Sequence, residues 1–128
     1  MSKTQQFNNK FYKANIYVSD LYLSRMNNKF EYIEYIIKDI KKNGLKRPLV
    51  VKRVNNKFEI LLGGTRYWAI KILKYKKVPC VLISDKKETE YTRIKSYDEL
   101  IKFANVKKLT YINGNISYIG SMNRYDIL

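Results

Sequence analysis

Four consecutive residues carry the chemistry most available to this chain: Gly63, Gly64, Thr65 and Arg66. They stand between an apolar run, Phe58 to Leu62, and a segment in which Trp68 with Ile72 and Ala69 with Leu73 keep helical spacing. The period therefore changes from strand to helix at the glycines. Backbone N–H groups at a helix start, with the positive end of its dipole, attract phosphate, and glycines let that phosphate approach the backbone. Thr65 is placed to cap the new helix and Arg66 to add a forked donor. The same four residues also suit a plain tight connection with a solvated arginine. Neither the lysine of a P-loop nor the spacing of a dinucleotide fingerprint is present.

The surroundings of the turn help to decide. The chain has 128 residues, 45% hydrophobic and 14% aromatic, which suits one compact domain with a packed core. Its net charge of +15 calls for a polyanionic partner. Residues 38–77 hold 13 Lys or Arg against Asp39 and Glu59, a balance of +11. Residues 1–37, with five cations against three anions, and residues 78–128, with eight against six, carry +2 each. A general bias toward lysine would spread evenly, so charge concentrated around Gly63 favours nucleic acid or nucleotide phosphate. A membrane surface is less apt, since no strongly amphipathic basic helix is visible.

Several classes fall away. With one cysteine and no histidine, the chain alone cannot assemble an internal disulfide, a zinc-hydrolase site, or Ser-His-Asp or Cys-His catalysis. No paired carboxylates stand at a spacing that supports a metal-dependent nuclease, and no metal site is expected. No apolar run has transmembrane length, and the start MSKTQQFNNK lacks the apolar stretch of a secretory signal, so a cytoplasmic location is expected.

The elements that must hold the turn follow from periodicity and punctuation. Residues 1–14 read as a flexible basic tail, Asn15 to Val18 as the first strand, and Asp20 to Asn28 as a loop. Ile33, Ile36, Ile37 and Ile40 share one face of a helix predicted over Phe30 to Lys42 and ended by Asn43-Gly44. Pro48 to Val54 and Lys57 to Leu62 form a hairpin through Asn55-Asn56. Val78 to Ile83 form a buried strand, with Cys80 as a small core residue rather than a nucleophile. After a charged loop over 84–95, Ser96 caps a helix through Ala104, and LTYINGNISYI carries the Asn-Gly signal of a hairpin. The pattern is α+β with a small mixed sheet and packed helices. Residues 15–84 make the main domain, and residues 85–128 a helix and β-hairpin extension packed on it.

In this order and spacing the chain resembles the N-terminal domain of ParB partition proteins, the ParB/sulfiredoxin fold, over about residues 15–84. The resemblance rests on Gly44, Leu45 and Pro48 (GLxxP), the hairpin after them, Gly63, Arg66 and Ala69 (GxxRxxA), and the closing Val78-Pro79 strand. It implies that Gly44, Pro48, Gly63, Gly64, Thr65 and Arg66 hold the phosphates of a nucleotide. In the family that nucleotide is CTP in partition proteins, with magnesium, and ATP or ADP in sulfiredoxins and the related free-serine kinases. This chain departs from the family at Gly64, where partition proteins carry glutamate and sulfiredoxins the catalytic cysteine. Thr65 replaces the usual arginine or histidine, and Asn105 is the remnant of the later ENxxR motif. The residues after the fold do not read as a helix-turn-helix.

These readings converge on a small basic DNA-associated or nucleotide-binding ParB-like protein of a plasmid, virus or other mobile element, a binder before a catalyst. Contacts to DNA are expected through Lys46, Arg47, Lys52, Arg53 and Lys71, which read backbone rather than sequence. Tyr67, Tyr75 and Tyr91 lie near basic residues, where rings either stack on exposed bases or complete the core. Two other classes stay open. One is an enzyme, a nuclease or a serine-kinase-like phosphotransferase, with Arg66 on the phosphates and Asp20 as base. The other is a protein-interaction module that inhibits a nucleic-acid enzyme and presents its positive face to an acidic partner.

Overall fold

The computed structural model describes residues 10–24 and 33–120. β1 (Phe11–Tyr17) leads through a short 3-10 turn (Val18–Asp20) to β2 (Leu21–Tyr22), and α1 (Ile33–Asn43) precedes the hairpin of β3 (Leu49–Val54) and β4 (Lys57–Leu62). Then come α2 (Gly64–Ile72), β5 (Lys77–Ile83), β6 (Thr92–Arg93), α3 (Tyr97–Ala104) and a second hairpin, β7 (Lys108–Ile112) with β8 (Asn115–Ile119). Six strands pair in the order β2-β4-β3-β5-β1-β6, and β7-β8 is a separate sheet. The large sheet is mixed: β2–β4 and β3–β5 are parallel, and the other pairs are antiparallel.

Alternation along the strands builds a core on each side of this sheet. Ala14, Ile16, Leu49, Val51, Phe58, Ile60, Cys80 and Leu82 face Tyr67 and Ile70 of α2. On the opposite side Phe11, Val50, Val81 and Ile83 meet Leu100 and Ala104 of α3 and Leu109 of β7. Both faces of β5 are therefore covered, which is why its run from Cys80 to Ile83 is buried throughout. Ile36 and Ile40 of α1 close the first side by packing on Ala69.

Local chemistry sets the turns. Asn55 takes φ 58°, and Asn113 and Gly114 take φ 53° and 80°, the left-handed pair that a two-residue hairpin turn requires. Gly44, at φ 77°, receives the chain after α1. Ser96 caps α3 by accepting from the Glu99 N–H, and Glu99 answers by accepting from the Lys95 N–H at 3.0 Å.

Four expectations are corrected. The first strand begins at Phe11, not Asn15, because Phe11 and Tyr12 are both buried against the sheet's two covers; the tail expected over 1–14 thus gives up residues 11–14, and residues 1–9 lie outside those described. Within the loop expected from Asp20 to Asn28, Leu21 and Tyr22 pair with Phe58 and Glu59 of β4; residues 25–28 and the first three of the helix expected over Phe30 to Lys42 lie outside those described. Thr92 and Arg93 pair with β1 inside the expected charged loop. Finally, Thr65 does not cap α2: Gly63 is the cap residue, no side chain bonds the helix start, and Thr65 lies buried in the first turn.

Candidate functional site

The glycine turn is built by a bulge followed by a left-handed residue. In the β3–β4 ladder Val50 pairs with Leu62 but Val51 pairs with Ile60, so Leu61 is an extra residue that bends β4 just before the turn. Gly63 then adopts φ 104°. A Cβ there would lie 2.5 Å from Leu49 Cδ2 and 3.3 Å from Arg66 Nη2, so the position is closed to any side chain. Gly64 differs, since a Cβ would meet only Leu23 Cδ2 at 3.4 Å. The first glycine is required by packing, whereas the second is not.

Arg66 joins the two motifs. Its Nη1 donates to the Arg47 carbonyl at 2.9 Å and lies 3.5 Å from the Pro48 carbonyl, so the GLxxP segment is held against the GxxR turn. Arg66 and Thr65 are 8% and 7% exposed, and Leu23 lies over Gly64. The turn is a closed assembly, and part of the arginine fork is spent on its own backbone.

The five cations expected on one DNA-binding face are spread apart. Arg47 is buried at 4% exposure; its Nε and Nη2 donate to the Asn105 carbonyl at 3.1 and 2.9 Å, and its guanidinium lies 5.9 Å from the Tyr118 ring. Asn105, the C-cap of α3 at φ 59°, returns a bond from Nδ2 to the Lys46 carbonyl at 3.3 Å. Arg47 therefore clamps the C-terminal helix and hairpin onto the segment before β3. Arg53 is held by both carboxylate oxygens of Glu88 and stacks 4.8 Å from the Phe58 ring. Lys46 lies 3.7 Å from Asp39. Lys52 and Arg53, neighbours on β3, point to opposite faces of the sheet. Lys71 alone of the five stands exposed over aromatic rings, 5.3 Å from Tyr67 and 5.0 Å from Trp68.

Asp20 is not brought to the turn. It pairs with Lys57 at 3.6 Å, at the start of β4, whereas Gly63 leaves the end of that strand, six residues and roughly 20 Å of strand path away. Gly44 and Pro48 flank Leu45–Arg47, and Pro48 is buried beside the Arg66 bond. Tyr67 and Tyr75 share a groove with Lys71; Tyr91 lies elsewhere, near Arg53, Glu88 and Asp20, where burial and the neighbouring carboxylates raise its hydroxyl pKa despite Arg53.

Burial pushes the Cys80 thiol up to about 12, consistent with an inert core residue. Burial also pulls the Glu88 carboxyl upward, but hydrogen bonds from Arg53 and Ser84 and the Arg53 charge outweigh it and hold the group below its ordinary value. Among the described residues no three His, Cys, Asp or Glu side chains converge as metal ligands, and no helix is long and apolar enough to cross a membrane.

A mixed sheet whose β-hairpin passes through a bulge and two glycines into a helix, with an arginine tying that helix to the preceding GLxxP loop, defines the ParB/sulfiredoxin class of α+β domain. Residues 4–97 match the ParB N-terminal domain, and the chain belongs to that family. A probable chromosome-partitioning protein ParB of Borreliella burgdorferi is 24% identical over 95 residues, which cover 74% of this chain and 35% of that protein; the chain spans about a third of that relative's length. In structure, a C-terminally truncated ParB of Caulobacter crescentus complexed with CTP-gamma-S superposes with a TM-score of 0.51 at 18% identity, covering 59% of this chain and 46% of that one. Sulfiredoxin of Arabidopsis thaliana gives 0.50 at 20% identity, covering 61% of this chain and 88% of its own. At these identities the structural likeness establishes the fold.

Proposed function

We propose that this protein is a small ParB-like binding module that takes a nucleotide phosphate at the Gly63–Arg66 turn and associates with nucleic acid through lysines outside that turn, without catalysis at the turn. The observation that carries the reading is the Arg66 bond to the Arg47 carbonyl, which sets a glycine-led helix start against the GLxxP loop. Gly44, Pro48, Gly63, Gly64, Thr65 and Arg66 are the residues that hold the phosphates of CTP, ATP or ADP, with magnesium. Helix dipole and backbone donors supply the attraction. Because Leu23 lies over Gly64, entry of the phosphate displaces Leu23. Gly64 supplies no acid, base or nucleophile, and Asp20 is occupied by Lys57 at the far end of β4, which disfavours the enzyme reading.

Thermal unfolding with CTP, ATP, ADP and GTP, each with magnesium, tests it. A ligand at about a hundred times its Kd stabilises the folded state by about 2.7 kcal/mol, an upward shift of several degrees. The substitution Gly64→Ala sharpens the test. Gly64 opens the helix without a positive φ, so alanine there favours stability by about 0.4 to 1 kcal/mol by restricting the unfolded chain, but its methyl occupies the phosphate approach. Higher stability with a lost nucleotide shift is expected; no shift with any nucleotide for the unsubstituted chain rejects the phosphate site.

A further inference from the structure

We propose that the groove between the β1–β2 connection and α2 binds single-stranded nucleic acid, at a site separate from the glycine turn. The inference deepens the nucleic-acid half of the reading above and does not depend on its nucleotide half. The groove is an open depression of about 560 Å3, lined by Tyr17, Ser19, Tyr67, Lys71, Tyr75 and Lys76, together with Val18 and Leu21 and with no carboxylate. The neighbouring acid in the chain, Asp20, does not line the groove and pairs with Lys57 at 3.6 Å.

The rings and charges are interleaved. Tyr17 is 50% exposed, and the Lys77 ammonium sits 4.4 Å from its ring centroid. On the other wall the Lys71 ammonium lies 5.3 Å from Tyr67. The Val18 N–H donates to the Lys76 carbonyl at 2.8 Å, so the walls are joined by backbone. Lys74, between these residues in the chain, is held at φ 62°, whereas the other non-glycine residues of positive φ among those described are all asparagines. That left-handed residue ends α2: the Tyr75 N–H returns to the Ile70 carbonyl at 3.1 Å, which turns the chain so that Tyr75 and Lys76 line the groove.

This arrangement matches a strand whose bases are unpaired. A base stacks on the Tyr17 ring, displaces Lys77 from that face, and leaves its ammonium to meet the adjoining phosphate, with Lys71 and Lys76 on the next ones. A duplex hides its base faces and offers the tyrosine nothing to stack on.

Fluorescence anisotropy with a labelled oligothymidine of about 12 nucleotides, the matching oligouridine and a duplex of equal length, over a range of salt, tests the proposal on the full chain. Both single strands are expected to bind more tightly than the duplex, their relative affinity distinguishing DNA from RNA. Tyr17→Ala weakens binding about tenfold with little change in salt slope. The double substitution Lys71→Ala with Lys76→Ala lowers the log–log salt slope by about 1.4, two contacts at about 0.7 each on single strands. Lys102→Ala, on α3 across the sheet, leaves binding within twofold. Absence of single-strand binding, preference for the duplex with Tyr17→Ala silent, or an equal loss from Lys102→Ala overturns the proposal. The nucleotide-induced melting shift, measured on the same proteins, separates the two ideas: kept in Tyr17→Ala, it leaves the phosphate turn standing whatever the groove does.

Discussion

The glycine turn and the tyrosine–lysine groove draw on one basic stretch of sequence and use its charge in opposite ways. Arg47 and Arg66 at the turn, and Arg53 at the other end of the β3–β4 hairpin, point inward, to the Asn105 carbonyl, to the Arg47 carbonyl and to Glu88 respectively. At the groove, Lys71, Lys76 and Lys77 stay exposed. The division follows the chemistry of the head groups. A planar guanidinium satisfies several acceptors in a fixed geometry and tolerates burial, whereas a compact, strongly hydrated ammonium holds to water. A charge balance counted along the chain therefore overstates what a partner meets, since part of it is structural.

The largest break in this comparison is expected at Gly63. Gly63→Ala forces a methyl against Leu49 at a residue of φ 104°, and overpacking with left-handed strain destabilises the fold by about 3 kcal/mol in urea unfolding. A loss under 1 kcal/mol would show that the turn is not closed as described. Next comes Arg47→Ala, which strips the Asn105 carbonyl of a charged donor. It is expected to cost about 2 kcal/mol and to raise hydrogen exchange in β7 and β8 ahead of the large sheet; uniform exchange would deny the clamp.

Glu88→Gln is smaller, about 1.5 kcal/mol at neutral pH, and it carries a pH signature. The folded carboxyl is held below its ordinary value, so its contribution is full above the unfolded pKa and is lost as the pH falls through the folded one. Stability of the unsubstituted chain should decline through the carboxylate range on acidification, and the decline should be shallower in Glu88→Gln. Equal slopes would mean that Arg53 is not held by that carboxylate. The smallest effect belongs to the groove. Lys71→Ala and Lys76→Ala should each move stability by less than about 0.5 kcal/mol, and a larger change would place those lysines with the inward arginines.

Much of the fold was legible because it is written in local chemistry. Asn55, Asn113-Gly114, Ser96 and the isoleucine stripe of α1 each act within a few residues, and their turns, cap and helix lie where the pattern put them. The misreadings were non-local. Leu21 and Tyr22 form a strand only because β4 lies alongside them, and Phe11 and Tyr12 leave an Asn-rich polar start because both faces of the sheet receive them. Arg47, chosen for DNA by its charge, is buried by residues 58 and 71 positions further along the chain, Asn105 and Tyr118.

The sequence by itself determined the α+β pattern, the strand-to-helix switch at Gly63-Gly64 and the family motifs around it, since periodicity, glycine and asparagine act through backbone preferences that travel with the residue. Only the tertiary structure decided which cations remain for a partner, that Leu23 covers Gly64, and that Tyr17, Lys71 and Lys76 share a groove. Exposure and neighbourhood belong to the packed molecule: whether a charge faces a carbonyl or water depends on which distant segment the core brings beside it.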